Sequence, residues 1–405
     1  MANHTRVISI LVITLAAGFP LHAAEPPKAA LEWDLRLRHE QVDDAGFGRD
    51  AAATTARLRA GLRLAPAAGW TVLLEGEGVA GAGNYNSGAN GKSAFPTVLD
   101  PTGAELNQAW VGWKGAQGGI TVGRQRVALD NQRWVGAVGW RQNEQTFDAL
   151  GAQWKPRVDL GVQYYWLDRV HRVAGDKAIN RLARERDLDS HLLNLAWKHG
   201  AQQLVGYAYL HDDRDVASAS TATYGLRWTG AAGQGGQGFG WTAEYARQTD
   251  HARNPADFGL DYWLLEPSWT QGRTTLRAGW ERLGGNGAVA VQSPLATLHA
   301  FNGWDDQFGT TPAKGLEDRY LGAGGKFGRG RLDGRLAWAL AWHDYRADVG
   351  GVRYGSEWNA SLGFPLPGGL SGLVKLADYR ADGYSRENRK LWLQVEWRGT
   401  RALAR

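Results

Sequence analysis

The sequence predicts an all-β fold, a transmembrane antiparallel β-barrel of about 18 strands (16 to 18), from three observations. Segments of about eight to eleven residues alternate apolar with charged side chains along the whole chain. Gly, Asp, Asn and Pro, which favour turns, separate these segments. After residue 24, no apolar run approaches the roughly 20 residues that a membrane-spanning helix needs.

The N-terminus has the pattern of a secretory signal peptide. Arg6 precedes an apolar run, and small residues follow the run up to Glu25. We expect residues 1–24 to be the signal peptide and residues 25–405 to form the mature barrel, exported from the cytoplasm.

The segment LEWDLRLRHE shows why a barrel is predicted to face lipid. Successive strand side chains point to opposite sides, so one face is apolar and the other is charged. The apolar residues are Leu31, Trp33, Leu35 and Leu37, and they alternate with Glu32, Asp34, Arg36 and Arg38. In a soluble all-β protein, which is the alternative, the charges would face outward. A closed barrel of so many strands, however, has a lumen too wide for side chains to fill. The apolar face is therefore predicted to meet lipid, since an arginine there would cost roughly 2 to 4 kcal/mol near the bilayer midplane.

The same alternation recurs in ARLRAGLRL, WTVLLEGE, FGWTAEYARQ, TLRAGWER and RLDGRLAWALAWHDY. It predicts a set of charged side chains that line the lumen together with Arg36 and Arg38: Arg57, Arg59, Arg63, Glu75, Glu77, Arg227, Glu244, Arg277, Glu281 and Arg335. The 20 tryptophans are interpreted mainly as aromatic girdles at the two membrane interfaces.

Composition and motifs exclude several functions. The net charge is only +5 and the charges are interspersed, which argues against a nucleic-acid partner. Cysteine is absent, so thiolate chemistry and disulfide bonds are excluded. The sequence contains neither a GxSxG nucleophile elbow nor an HExxH pair, and we expect no enzyme activity, no cofactor and no metal site.

Two regions, residues 123–149 and 293–320, break the alternation. Polar residues of the first region are predicted to line a constriction or an inward loop, although hydrogen bonds to loop backbone would explain them equally well. They are Arg124, Arg126, Asp130, Arg133, Arg141, Gln142, Asn143 and Asp148. The direction of Arg124 stays open, because it shares strand parity with Ile120 and Val122.

The same two regions resemble the alginate-export family of outer-membrane porins. The similar motifs are GRQ, DNQRWVG, WRQN and TFDA in the first region, and HAFNGWDDQFGTTPAKGLEDRY in the second. The resemblance implies an 18-stranded monomeric barrel in a Gram-negative outer membrane, surrounded by outer-membrane lipid. It also implies passage of an acidic polysaccharide through a positively charged constriction, with periplasmic secretion components as candidate partners.

The residues themselves allow three functions. Only ten of the 46 basic residues are lysine, and arginine binds carboxylates through two parallel hydrogen bonds, so an arginine-lined lumen would guide anionic saccharides. The same arginines could instead form structural ladders with Glu and Asp inside a general porin that takes up small solutes. The third alternative is a plugged barrel with a structural or adhesive role.

Overall fold

A computed structural model describes residues 28–404, apart from residues 235 and 329. The predicted signal peptide lies outside these residues. The strands are β1 (Ala29–Asp44), β2 (Ala51–Leu64), β3 (Trp70–Asn84), β4 (Gly103–Lys114), β5 (Gly118–Gln125), β6 (Thr146–Arg157), β7 (Leu160–His171), β8 (Glu185–His199), β9 (Gln202–His211), β10 (Thr221–Gln234), β11 (Gln237–Asp250), β12 (Gly259–Gln271), β13 (Thr274–Leu283), β14 (Leu316–Phe327), β15 (Leu336–Arg346), β16 (Arg353–Pro365), β17 (Ser371–Ala381) and β18 (Asn388–Ala404).

Each strand pairs antiparallel with its neighbours in sequence, and β1 pairs with β18 to close the cylinder. The closing pair runs from Ala29 opposite Ala404 to Asp44 opposite Asn388. Closure removes both sheet edges, so no row of backbone donors and acceptors is left open to lipid. The predicted fold and strand number are confirmed.

The direction of the side chains also follows the prediction. In β1, Leu31, Leu35 and Leu37 are exposed on the outer wall, whereas Arg36 and Arg38 are buried inside the barrel. This distribution is the reverse of that in a soluble protein, because the surroundings of the outer wall are hydrocarbon and those of the inner wall are polar.

The two ends of the barrel differ in their connections. The start of β1 and the end of β18 lie at the end with the short turns, such as residues 115–117 and 200–201. The opposite end, called here the long-loop end, carries the connections 85–102, 126–145 and 284–315. Short turns are typical of the periplasmic side of such barrels and long loops of the extracellular side. None of the helices in the described residues is long and apolar enough to cross a membrane.

Most exposed tryptophans lie on the outer wall close to the short-turn end, among them Trp70, Trp113, Trp197 and Trp228. Their position agrees with an interfacial girdle. The girdle interpretation does not hold for Trp134, Trp140, Trp304 and Trp392, which lie inside the barrel.

Leu74→Arg should destabilise the barrel by roughly 2 to 4 kcal/mol, because it places a cation on the lipid-facing wall of β3. The measurement is the free energy of unfolding in urea, with the protein folded into lipid vesicles. Leu74→Phe at the same position is the control and should cost much less. Equal stability of the two variants would contradict the assignment of this face to lipid.

Candidate functional site: the barrel lumen

Two loops fold into the lumen from the long-loop end: the first inward loop, residues 126–145, and the second inward loop, residues 284–315. They form a short parallel bridge between Val135 and Leu295. The backbone N–H of Gly136 donates to the Leu295 carbonyl at 2.9 Å, and that of Thr297 donates to the Gln132 carbonyl at 3.1 Å. The two loops therefore behave as one folded unit inside the barrel.

An apolar core holds this unit against the wall. Val135, Leu295 and Phe308 of the loops are buried together with Tyr207 and Tyr262 of the barrel strands. Burial of such side chains stabilises docking by about 25 cal/mol for each Å² removed from water. The lumen thus contains a small hydrophobic core in a position where the sequence predicts only polar side chains.

Ionic contacts anchor the first inward loop on one side of the wall. Arg133 lies 2.8 Å from the Glu281 carboxylate of β13, which also accepts hydrogen bonds from Tyr262 and Asn302. The Trp134 indole N–H donates to Glu244 of β11 at 3.0 Å. Each buried carboxylate therefore has several donors, as a buried charge requires.

On the other side of the wall, arginines of β1 bind the backbone of the same loop. Arg36 donates to the carbonyl oxygens of Gly139, Trp140 and Arg141 at 3.1 to 3.2 Å. The Arg38 guanidinium stacks on the Trp140 ring at 4.1 Å from its centroid. Arg36 also pairs with Glu396 at 2.9 Å, and Arg38 donates to Gln394 and to the Trp140 carbonyl. Both side chains are buried by these contacts, so their positive charge is not exposed to a solute.

Glu144 connects the end of the first inward loop to the wall. Its carboxylate pairs with Arg59 of β2 and with Arg126, and accepts a hydrogen bond from Asn107 at 3.2 Å. Burial acts to raise the pKa of Glu144, but the attraction of Arg59 and Arg126 outweighs burial and lowers the pKa to about 2. Glu144 is therefore ionised at any physiological pH.

Lys375 of β17 anchors the second inward loop. Its ammonium lies 3.9 Å from the ring centroid of Trp304, 4.1 Å from that of Trp140 and 5.5 Å from that of Trp392. It also lies 2.6 Å from Nε2 of His299. These five side chains are called here the lysine box. Nζ of Lys375 is thus enclosed by three indole rings at distances typical of cation–π contacts.

The protonation state of His299 agrees with its contacts in the lysine box. Burial lowers the pKa of His299 to about 3, so the ring is neutral at physiological pH. Nδ1–H then donates to Asp306 at 2.8 Å, and Nε2 accepts from Lys375. Asp306 in turn pairs with Arg141 at 3.2 Å, which links the two inward loops electrostatically.

The structure places most of the predicted lumen residues on the inner wall or in the first inward loop, and most of them form ion pairs. The pairs that join predicted residues are Arg59 with Glu77, Arg126 with Glu75, Arg133 with Glu281, and Arg227 with Glu244. Asp130 accepts from Asn194 and Tyr209, Gln142 donates to Thr55, and Asn143 is buried. Arg57 pairs with Asp34 and Glu396, Arg63 with Glu32, and Arg141 with Glu40. Arg277 faces the lumen without an ion pair among the described residues.

Three predicted residues lie elsewhere. Arg124 and Asp148 pair at 2.9 Å on the outer wall, because Arg124 has the parity of the exposed Ile120 and Val122. Arg335 is exposed in the turn before β15, since the strand begins only at Leu336. These positions correct the expectation that the three residues lie in the lumen.

At two places in the lumen, an arginine is more exposed to solvent than the carboxylates with which it pairs. The Arg126 side chain is 38% exposed, whereas its partners Glu75 and Glu144 are 9% and 8% exposed. Near the short-turn end, Arg398 is 45% exposed and its partner Glu396 is 3% exposed. The carboxylates lie beneath the guanidinium groups, so pairing does not hide the positive charge from the lumen.

The prediction missed Arg398, Lys375 and Trp392. Trp392 and Arg398 alternate with the apolar Leu391, Leu393 and Trp397 in the segment LWLQVEWR, so a signal for their inward direction was available in the sequence. No local sequence pattern predicts the lysine box, because its members come from four separate parts of the chain.

Solved structures with similar folds are outer-membrane proteins. OccK5 (OpdH) of Pseudomonas aeruginosa is 16% identical, with a TM-score of 0.71, over 92% of this chain and 98% of its own. OccAB3 of Acinetobacter baumannii is 12% identical, with a TM-score of 0.72, over 92% and 99%. The outer membrane protein OpdK of Pseudomonas aeruginosa, in its structure with vanillate, is 15% identical, with a TM-score of 0.70, over 92% and 99%. At sequence identities this low, the structural similarity establishes the fold alone.

The family is established by a sequence comparison. No curated protein matches the chain significantly. The family model described as alginate export matches residues 31–274, which is more than half of the 405 residues. This match covers most of β1, the strands β2 to β12 and the whole first inward loop. It includes the motifs of residues 123–149 but not the motif of the second region. The chain is an outer-membrane channel protein and belongs to the alginate-export family.

Proposed function

We propose that this channel passes anionic saccharides. The observation that carries the proposal is the difference in exposure between the lumen arginines and the carboxylates beneath them. Arg126 and Arg398 present guanidinium groups to the lumen, and Arg277 adds a charge that has no ion pair within the part of the chain that the structure describes. Such a surface raises the local concentration of anions, because charges that line a pore set its selectivity. Arginine also matches the geometry of a uronate carboxylate.

The inward loops limit the size of the solute. Arg36, Arg38, Arg57 and Arg59 are almost completely buried, so solvent does not reach this part of the inner wall. Because the two inward loops occupy part of the lumen, a solute would have to pass beside them and not through the full width of the barrel. A narrow path of this kind suits a single extended saccharide chain or short oligosaccharides.

Uptake of small carboxylates is the second candidate function. The narrowing by two inward loops favours it, since small solutes need no wide pore. The similar fold of OpdK adds some support, because that protein was crystallised with vanillate, itself a carboxylate. Block of the ion current by oligouronates, but not by vanillate, would favour the saccharide channel over this candidate.

Replacing Arg126, Arg277 and Arg398 together with Gln should lower the permeability ratio of chloride to potassium about twofold or more, because the exposed positive charge of the lumen is removed. The measurement is the reversal potential in planar bilayers under a salt gradient. Arg169, Arg247 and Arg319, which face outward, provide the matched control when all three are changed to Gln. If the lumen variant and its control keep the same selectivity as the wild type, the proposed anion path is wrong.

Arg133→Met should raise the single-channel conductance, because it leaves Glu281 buried without its cation and loosens the first inward loop. Breaking a buried pair in this way costs roughly 3 to 5 kcal/mol. The control is Arg157→Met, which breaks an exposed ion pair with Asp159 at a short turn. Such a pair contributes only about 0 to 1 kcal/mol to stability. Unchanged conductance in a folded Arg133→Met barrel would show that this loop does not narrow the path.

A further inference from the structure

The outer wall carries a group of four arginines at the long-loop end of β15 to β18, called here the rim patch: Arg346, Arg353, Arg380 and Arg389. Strand parity places Arg346, Arg380 and Arg389 outside the barrel, and a bulge in the pairing of β15 with β16 brings Arg353 to the same side, where it pairs with Asp344. Arg380 follows the exposed Leu376 at an even interval, and Arg389 precedes the exposed Leu393 at an even interval. The patch therefore lies on the membrane-facing side, outside the path through the lumen.

Two aspartates, both less exposed than the arginines, form ion pairs with the four arginines of the rim patch. Asp344 accepts from Arg346 at 3.0 Å and from Arg353 at 2.7 Å, and Asp378 accepts from Arg380 at 3.2 Å and lies 3.4 Å from Arg389. The four arginine side chains are 41% to 52% exposed, but Asp344 is only 11% exposed and Asp378 is 24% exposed. Each guanidinium has five N–H donors, so many of them remain available to an external ligand.

Two further carboxylates border the rim patch. Asp382 pairs with Arg353 at 2.9 Å, and Glu387 pairs with Arg380 at 3.5 Å. Both belong to the loop between β17 and β18, so they lie on the side of the patch away from the membrane. The side toward the membrane is lined by the exposed apolar residues Trp358, Leu376 and Leu393.

A second outward cluster of charges shows that this arrangement is not general. There, Arg124 pairs with Asp148, and Arg169 pairs with Glu185 and Asp187. In each of these pairs the carboxylate is more exposed than its arginine. In the rim patch this holds only for the bordering Asp382 and Glu387, whereas Asp344 and Asp378 are less exposed than the arginines they bind. This second cluster offers acidic groups to the surroundings and suits an anionic ligand poorly.

We propose that the rim patch binds the phosphate groups of a phosphorylated glycolipid of the outer leaflet. The planar guanidinium matches a phosphate through two parallel hydrogen bonds. The patch continues the lipid-facing wall, so a headgroup on the arginines leaves its acyl chains beside Trp358, Leu376 and Leu393. This continuity identifies the ligand as a lipid and not as a free phosphate ion. The inference is independent of the solute that the channel passes.

The test compares diphosphoryl lipid A with the same lipid after removal of both phosphates, with binding to the purified full-length barrel in detergent measured by native mass spectrometry. The wild type should bind the phosphorylated form at least about fivefold more tightly. Equal binding of the two lipids would overturn the proposal with no variant needed. An excess of inorganic phosphate should compete only weakly, and complete displacement would identify a simple anion site instead.

The variants locate the binding. Changing Arg346, Arg353, Arg380 and Arg389 to Gln should remove most of the preference for phosphate, whereas Arg124→Gln with Arg169→Gln should leave it intact. Folding of each variant is checked by heat-modifiable mobility in electrophoresis. If the fourfold variant does not fold, Arg353→Lys with Arg389→Lys keeps the charge and loses the paired hydrogen bonds, so it should show a partial loss. A preference that is unchanged in a folded rim-patch variant, or equally lost in the control, would overturn the assignment.

Discussion

The whole barrel depends on the pairing of β1 with β18, which closes the sheet. An open strand edge in hydrocarbon would leave backbone N–H and C=O groups without hydrogen-bond partners. Closure turns a two-faced sheet into a cylinder whose outer wall must be apolar. Away from the ends of the strands, charged side chains must then point inward, where each needs a partner. The pairs of Arg59 with Glu77 and of Arg227 with Glu244 follow from this requirement. The inward loops supply the partners that the wall alone lacks, such as Glu144 and the backbone carbonyls at residues 139–141.

The architecture of the wall was predictable because strand parity is a local property. Leu35 and Arg36 point in opposite directions whatever the rest of the chain does, so alternation alone predicted their faces. The same rule, followed strictly, would have placed Arg124 on the outer wall with Ile120 and Val122. Strand ends are less predictable, and Arg335 lies in a turn because alternation gives no signal for the residue at which pairing stops.

The interior was not predictable to the same degree, because its contacts join distant parts of the chain. Arg36 binds backbone carbonyls about a hundred residues away, and no local pattern encodes a carbonyl as a partner. Strand parity predicted that the arginine side chains point into the lumen. It did not predict whether they would contact a loop or the solvent. That difference decides function, since a guanidinium satisfied by backbone cannot attract a solute, whereas Arg126 and Arg398 remain open to water.

The lysine box has a consequence for the order of assembly. Trp140, Trp304, Lys375 and Trp392 come from two loops and the last two strands, so the box is incomplete until the C-terminal strands have joined the barrel. Contacts between such distant segments form late, because the entropy of closing the intervening chain must be overcome first. A nascent barrel that still lacks β17 and β18 therefore lacks this anchor of the second inward loop. Closure of the cylinder and completion of the lysine box coincide, because both require the last two strands.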